Sequence, residues 1–240
     1  MDRASLAAGN PHLSVLGPGD PGLAAYGRIL DLPGLEGLVE LADRIVPAGL
    51  AANAYVASEA GLEAHPAAAA FGPAFGFAEL QVGWNAGPNS RLNGLEWHKS
   101  PEILVAVNDL ALLLGRFEDI ELRGPRGPRF DSSRLSCVFL PRGAALELKA
   151  GTLHLAPCRL GPSGFKSLVV LPRGTNSPLS PEESERARAA ASPSAPGGGD
   201  PEAGLLFMRN KWILAHPERQ VLVDKGAFPG IEGPNVEVFF

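Results

Sequence analysis

The sequence has little of what marks several large classes of protein. It contains two cysteines, Cys137 and Cys158, which are too few for a disulfide framework and flank apolar runs, so we expect buried, reduced thiols. It has no apolar run of about 18 residues and no signal-peptide pattern at its N-terminus, which favours a soluble, cytoplasmic protein without a membrane partner. Positive charge does not dominate either: the formal net charge is -5 at pH 7, which argues against nucleic acid as a partner.

Glycine and proline are abundant instead, with 29 and 23 residues, and most of them separate short apolar runs. From residue 77 onward these runs follow one another at a spacing of roughly ten residues, with turn-forming residues between them. This rhythm predicts a mainly β fold, an antiparallel sandwich or barrel with a few short helices. One helix is expected over residues 35–44, since apolar residues lie near one face and Pro47 ends the stretch.

Two segments depart from this rhythm. Residues 1–20 are small and polar with several Gly and Pro residues, which predicts an irregular N-terminal arm. Residues 178–203 begin with a helical stretch capped by Ser180 and continue as a Ser/Pro/Gly-rich linker, which predicts a flexible surface insertion. Core-like sequence returns after the insertion, so we expect residues 21–240 to form a single domain.

The stretch NSRLNGLEWHKSPE, residues 89–102, is the most informative for function. Glu96, His98 and Glu102 lie at even offsets, so an extended chain would point their side chains to one face. His154 follows a glycine-containing turn in a second strand-like segment, and a charged group in a barrel interior needs a partner. Two carboxylates and two imidazoles suit a divalent ion such as Mn, Fe, Co, Ni or Zn without selecting strongly among them. The alternative is that the carboxylates are solvated and the imidazoles are merely hydrogen-bonded.

This pattern resembles the two metal motifs of the cupin superfamily. Glu-x-His-x3-Glu at residues 96–102 is similar to the first motif, in which a His usually stands at the place of Glu96. Gly151 and His154 match the second motif, whereas Lys149 replaces its proline. The longer strings GLEWHKSPE, GTLHLAPC and RNKWILAHPE resemble the DUF4867 family of bacterial proteins.

The resemblance implies a cupin-type jelly-roll barrel and, because cupins often pair through their barrels, a homodimer. It implies no reaction, since cupins include isomerases, lyases, hydrolases, oxygenases and binding proteins.

Other polar residues near the predicted strands are candidates for contact with a substrate. Lys166 shares a face with Val170 if its strand alternates, so an inward Lys166 is a candidate catalytic base. The alternative is a lysine at a strand end whose ammonium reaches solvent. Asn89, Asn93 and Lys211 are candidate substrate-binding residues, although asparagines near Gly-Pro often form turns.

These features predict a metal-dependent enzyme that acts on a small polyoxygenated substrate, a sugar or a sugar acid. The metal would chelate two adjacent oxygens and stabilise an enediolate while a base moves the proton, which is the chemistry of aldose–ketose isomerases and epimerases. Two alternatives remain open: a metal-dependent lyase or amidohydrolase of keto or ureido acids, and a non-catalytic cupin that binds a small molecule.

Overall fold

A computed structural model describes residues 1–240, with the side chain of Pro196 excepted, and its fold is mainly β. The strands, in chain order, are β1 (Ser14–Leu16), β2 (Gly27–Leu30), β3 (Ala54–Val56), β4 (Leu80–Gly87), β5 (Gly94–Trp97), β6 (Glu102–Ala106), β7 (Leu110–Leu114), β8 (Phe130–Asp131), β9 (Ser136–Leu140), β10 (Ala145–Leu148), β11 (Cys158–Arg159), β12 (Phe165–Pro172), β13 (Leu206–Met208), β14 (Lys211–Ala215) and β15 (Ile231–Glu232). The α-helices are α1 (Arg3–Gly9), α2 (Leu35–Ile45), α3 (Ala60–Glu63), α4 (Pro181–Ala191) and α5 (Gln220–Asp224).

Two sheets enclose the main core. The larger has the strand order β2-β10-β6-β12-β4-β3, and the smaller has the order β1-β9-β7-β11, with β1 parallel to β9. The chain changes sheet between β6 and β7, between β9 and β10, and between β11 and β12, as in a jelly roll. Leu104, Leu112, Val138 and Leu146 come from both sheets and form one buried cluster between them. The expected cupin-type jelly roll is confirmed.

The central strand β6 is buried on both of its faces. Leu104 points between the two sheets, whereas Ile103 and Val105 belong to a second apolar cluster. That cluster includes Leu38 and Ala42 of helix α2, which covers the outer face of the larger sheet. The helix expected over residues 35–44 is thus present as α2, and its apolar stripe explains why it packs there.

A third sheet, β13-β14-β5, brings the chain after residue 203 beside the motif strand. Strand β14 pairs antiparallel with β5, so Trp212 lies opposite Trp97 and Ile213 lies opposite Glu96. The hairpin of β13 and β14 therefore forms part of the wall around Glu96.

The N-terminal segment is not the irregular arm that its Gly and Pro content predicts. Helix α1 is capped by Asp2, whose carboxylate accepts a hydrogen bond from the Ser5 N–H at 2.8 Å, and its Leu6 is fully buried. Strand β1 extends the smaller sheet beside β9. The sequence RASLAAG contains good helix formers, and burial of the apolar Leu6 side chain stabilises the helix. These effects outweigh the Gly and Pro residues that follow, which disfavour a helix.

The segment over residues 178–203 contains the helix that was expected, α4, and Ser180 caps it by accepting from the Glu183 N–H at 3.1 Å. Its flexibility and the single-domain assignment stay predictions. Cys137 and Cys158 are buried free thiols, as expected. Within the part of the chain that the structure describes, no helix combines the length and apolar character that crossing a bilayer requires.

Candidate metal centre

Strand β5 places Glu96 on the inner side of the barrel. Leu95 and Trp97 belong to an apolar cluster outside the two-sheet interior, so the alternation of the strand turns Glu96 the other way, and His98 follows on the same side. Both side chains are buried. The side chains of this strand therefore alternate between its two faces as the sequence predicts.

Glu102 and His154 reach the same place by other routes. Glu102 begins β6 after the break at Pro101 and lies on the same face as the inward Leu104. His154 is joined to Glu96 by two backbone hydrogen bonds, from the Glu96 N–H to the His154 carbonyl at 2.6 Å and from the His154 N–H to the Glu96 carbonyl at 2.9 Å. Residues paired in this way present their side chains to one face of the ladder.

The four side chains form one buried cluster. Glu102 Oε2 lies 3.2 Å from Nε2 of both His98 and His154, and Glu96 Oε1 lies 3.8 Å from His98 Nε2. Glu96, His98 and His154 each offer a ligand atom within 4.8 Å of the others, which is compact enough for one metal ion. The structure thus brings together all four residues predicted from the two motifs.

Backbone carbonyls fix how the two imidazoles point. His98 Nδ1 lies 2.6 Å from the Asn210 carbonyl oxygen, and His154 Nδ1 lies 2.9 Å from the Thr152 carbonyl oxygen. Because a carbonyl only accepts, each Nδ1 carries the hydrogen, and a neutral ring presents the lone pair of Nε2 to the carboxylates. A second hydrogen bond of this kind is usual for metal-binding histidines.

His98 Nε2 is the atom that most clearly needs a further partner. It is buried and makes no hydrogen bond of good geometry with the described residues, although Glu102 Oε2 lies near it. A buried polar atom without a partner costs roughly 1–3 kcal/mol. A divalent ion among Glu96, His98 and His154 would satisfy this atom, so the donor set fits a metal.

The carboxylates also shape the protonation of the metal-free cluster. Burial acts to lower the pKa of His154, but the Glu102 carboxylate outweighs it and raises that pKa to about 9. Burial acts to raise the pKa of Glu102, but the charge and hydrogen bond of His154, together with the nearby His98 imidazole, hold that pKa well below its usual range. The buried carboxylates of Glu96 and Glu102 are therefore stable only with positive charge beside them. A metal cation would supply this charge in place of a proton.

A cavity of about 330 Å³ adjoins the cluster, and Glu96, Glu102 and His154 form part of its wall. The remaining polar lining is mostly amide groups with two cationic side chains and one phenol. These residues are Asn53, Tyr55, Asn85, Asn89, Asn93, Asn176, Lys211 and Arg219.

The predicted substrate-binding asparagines lie in this lining and are used to build it. Asn89 Nδ2 donates to the carbonyls of Ala156 at 3.1 Å and Pro157 at 3.2 Å, and Asn89 Oδ1 accepts from Asn93 Nδ2 at 2.8 Å. Asn93 adopts a left-handed backbone conformation with φ 59°, which asparagine tolerates better than most residues. Both amides therefore hold the cavity wall together through hydrogen bonds to neighbouring protein atoms.

The two lysines singled out by sequence lie in different places. Lys211 lines the cavity and its ammonium forms an ion pair with Glu96 Oε2. Lys166 is not brought to the cavity: its Nζ binds the Asp43 carboxylate at 2.5 Å and the Asp43 carbonyl at 2.9 Å, beside helix α2. Lys166 does share a face with Val170, but that face packs outward against α2. Both faces of β12 are buried, so alternation alone cannot identify the inner one.

Sequence reasoning missed several residues of the lining. Tyr55 on β3 and Asn85 on β4 are directly paired across the strands and line the cavity together. Asn176 and Arg219 come from turns after β12 and β14. The available signal was Asn85, an asparagine inside an otherwise strand-like run, where this residue is disfavoured unless it makes specific contacts.

Some solved structures match parts of this chain at low sequence identity. EvdO2 from Micromonospora carbonacea var. aurantiaca is 15% identical and covers 66% of this chain and 92% of its own, with a TM-score of 0.43. An oxalate decarboxylase from Lactobacillus farciminis, in a formate complex, is 13% identical. The match covers 54% of this chain and 31% of that protein, with a TM-score of 0.31. The DMSP lyase DddQ from Ruegeria pomeroyi DSS-3 is 18% identical. The match covers 42% of this chain and 41% of that protein, with a TM-score of 0.27.

The present chain therefore spans less than half the length of the last two proteins, and these likenesses carry no inference about its reaction.

No protein with curated annotation matches the chain. A family model does match, over residues 19–236, and its description is "Domain of unknown function (DUF4867)". The match includes the whole cluster of Glu96, His98, Glu102 and His154 and the whole cavity lining. The chain therefore belongs to the DUF4867 family.

Proposed function

We propose that this protein is a metal-dependent enzyme that isomerises or epimerises a small polyoxygenated substrate, a sugar or a sugar acid. The observation that carries the proposal is the buried cluster of Glu96, His98, Glu102 and His154, of which all but His98 line a cavity of about 330 Å³. Small-molecule sites usually measure roughly 300–1,000 Å³, so this cavity suits a small substrate.

Glu96, His98 and His154 would hold the ion, with Glu102 against both imidazoles. A bound divalent cation supplies a Lewis acid that polarises two neighbouring substrate oxygens.

In this proposal Lys211, and not Lys166 as the sequence predicts, is the catalytic lysine. Its Nζ forms an ion pair with Glu96, so it would lie near a cation held there, and it lines the cavity. There it donates a hydrogen bond to the substrate oxygen on which negative charge develops, and it is the lysine positioned to exchange a proton with the substrate.

The charges around the cavity favour a sugar acid over a neutral sugar. A divalent cation offsets the carboxylates of Glu96 and Glu102, which leaves Lys211 and Arg219 as excess positive charge in the lining. Arg219 is exposed at the cavity and forms no ion pair with the described residues, so its guanidinium is free to bind a substrate carboxylate.

Metal analysis and product analysis test the proposal together. Protein purified without chelator is assayed for bound Mn, Fe, Co, Ni and Zn, and the metal-loaded protein is offered pentoses, hexoses, aldonates and uronates. An isomer of unchanged mass supports the proposal. Products of changed mass favour a lyase or amidohydrolase, and bound metal without any turnover favours a non-catalytic binding protein.

A further inference from the structure

A second polar group lies in the cavity lining, on the larger sheet. Tyr55 and Asn85 are directly paired between β3 and β4, and Asn176 lies after β12 in contact with Tyr55. Strand β12 lies between β4 and β6, and the register sets Asn85 level with Ala106, four residues along β6 from Glu102. Asn85 and Glu102 nevertheless line the same cavity, so a ligand that extends along this cavity can contact both groups.

Asn176 is held in place by its own backbone. Its φ of 66° is left-handed, a conformation that asparagine adopts more readily than most residues. Its N–H donates to the Arg209 carbonyl at 3.0 Å, and the carbonyl of the preceding Thr175 accepts from Gln81 Nε2 at 3.1 Å. The amide is thus oriented before any ligand binds.

Hydrogen bonding leaves one acceptor and one donor side by side. Asn176 Nδ2 donates to the Tyr55 hydroxyl at 3.1 Å, while Asn176 Oδ1 is buried and has no partner among the described residues. The Tyr55 oxygen accepts that bond, so its O–H remains available to donate. Burial, with the Glu102 and Glu96 carboxylates, raises the pKa of Tyr55 to about 12 against the effect of the Asn176 bond, so the phenol keeps its proton at neutral pH.

We propose that Tyr55, Asn85 and Asn176 form a hydroxyl-recognition subsite for a polyhydroxylated ligand. One ligand hydroxyl donates to Asn176 Oδ1 and accepts from the Tyr55 O–H, and the Asn85 amide meets a neighbouring hydroxyl. The subsite deepens the proposed function, on whose polyoxygenated substrate it rests. A site built to bond a hydroxyl discriminates strongly against the deoxy analogue, because its buried polar groups are then left unpaired.

Binding rather than turnover tests the subsite. The full chain, reconstituted with zinc, is titrated with D-ribose, D-galactose and D-glucuronate, and with 2-deoxy-D-ribose and 2-deoxy-D-galactose, by ligand-observed NMR. Tyr55→Phe removes the donor. Asn176→Asp keeps the backbone conformation but replaces the Nδ2 donor with an acceptor, so the Tyr55 O–H donates to the carboxylate and is lost to the ligand. Tyr26→Phe is the matched control, since the Tyr26 hydroxyl bonds Ser136 Oγ at 2.9 Å away from the cavity.

We expect at least one of the parent sugars to bind wild type and Tyr26→Phe equally, and to bind Tyr55→Phe and Asn176→Asp at least about tenfold more weakly. A deoxy sugar whose parent binds should bind more weakly than that parent. Equal binding by Tyr55→Phe and wild type overturns the subsite, as does the absence of binding by every probe. Tyr55→Phe keeps the aromatic ring and removes only the hydroxyl, so the fold should stay intact and the comparison valid.

The outcomes also separate the subsite from the proposed reaction. Binding that depends on Tyr55, with no isomer formed from any bound sugar, leaves the subsite standing and removes the isomerase. Isomer formation with the same KM in Tyr55→Phe as in wild type keeps the isomerase and removes the subsite.

Discussion

Glu102 Oε2 lies 3.2 Å from Nε2 of His98 and 3.2 Å from Nε2 of His154, so one carboxylate oxygen joins two imidazoles from distant parts of the chain. Both imidazoles donate Nδ1–H to backbone carbonyls, which turns their Nε2 atoms toward this oxygen. Such an arrangement needs positive charge between the groups, as protons or as a metal ion.

Glu102→Gln should therefore weaken metal binding. The neutral amide no longer balances the charge of the cation, and we expect an affinity loss of about 10–100-fold, measured by competition with a chromophoric chelator. Glu79→Gln is the control, because Glu79 is exposed and pairs with Arg173 on the surface. Equal metal affinity in Glu102→Gln and Glu79→Gln would remove Glu102 from the site.

The metal-free protein should lose stability as the pH rises toward about 9. Because the pKa of His154 is raised from its ordinary value of 6.5 to about 9 in the folded state, its charged form stabilises the fold fully below about pH 6.5. This contribution is lost as the pH passes through about 9. The loss of stability is measured as the difference between the denaturant midpoints of chelator-treated protein at about pH 6 and about pH 9. His154→Gln should flatten this difference; a wild-type midpoint that is higher at the upper pH contradicts the account.

The two lysines should differ in their effects on turnover. Lys211→Met removes the cation beside Glu96 and should lower kcat by about 100-fold with metal content unchanged. Lys166→Met breaks the ion pair with Asp43, which lies outside the cavity. It should leave kcat within about threefold of wild type, because Lys166 does not contact the site of the reaction. The reverse order of effects would restore Lys166 as the catalytic lysine.

Arg219→Gln should raise KM for sugar acids and leave KM for neutral sugars unchanged. Loss of one charge-assisted bond to a carboxylate corresponds to about tenfold in KM. Arg186→Gln serves as the control, because Arg186 is exposed on α4 and pairs with Glu182. An equal change for acids and neutral sugars would show that Arg219 does not recognise a carboxylate.

Local patterns predicted the parts of the fold that depend on near neighbours. The apolar stripe of α2 and the alternation around Glu96 and His98 are readable because one face of each element is distinct in the sequence. Lys166 shows where this reasoning stops: β12 is buried on both faces, and only the packing of α2 identifies the outer one. Helix α1 was missed because Gly and Pro residues after it obscured its short helical stretch.

The cavity lining could be predicted only in part. Glu96, His98, Glu102 and His154 lie in recognisable motifs, but Tyr55 and Asn176 are 121 positions apart and meet only through the pairing of β3, β4 and β12. Asn210 likewise orients His98 from a hairpin 112 positions away. Such contacts follow from strand order, which no single stretch of sequence contains.

The metal content of protein purified without chelator tests the central claim most directly. The account predicts about one divalent ion per chain in wild type and little in the His98→Ala and His154→Ala variants, with all three folded by circular dichroism. Wild type that takes up no Mn, Fe, Co, Ni or Zn, even when these ions are added, would contradict it.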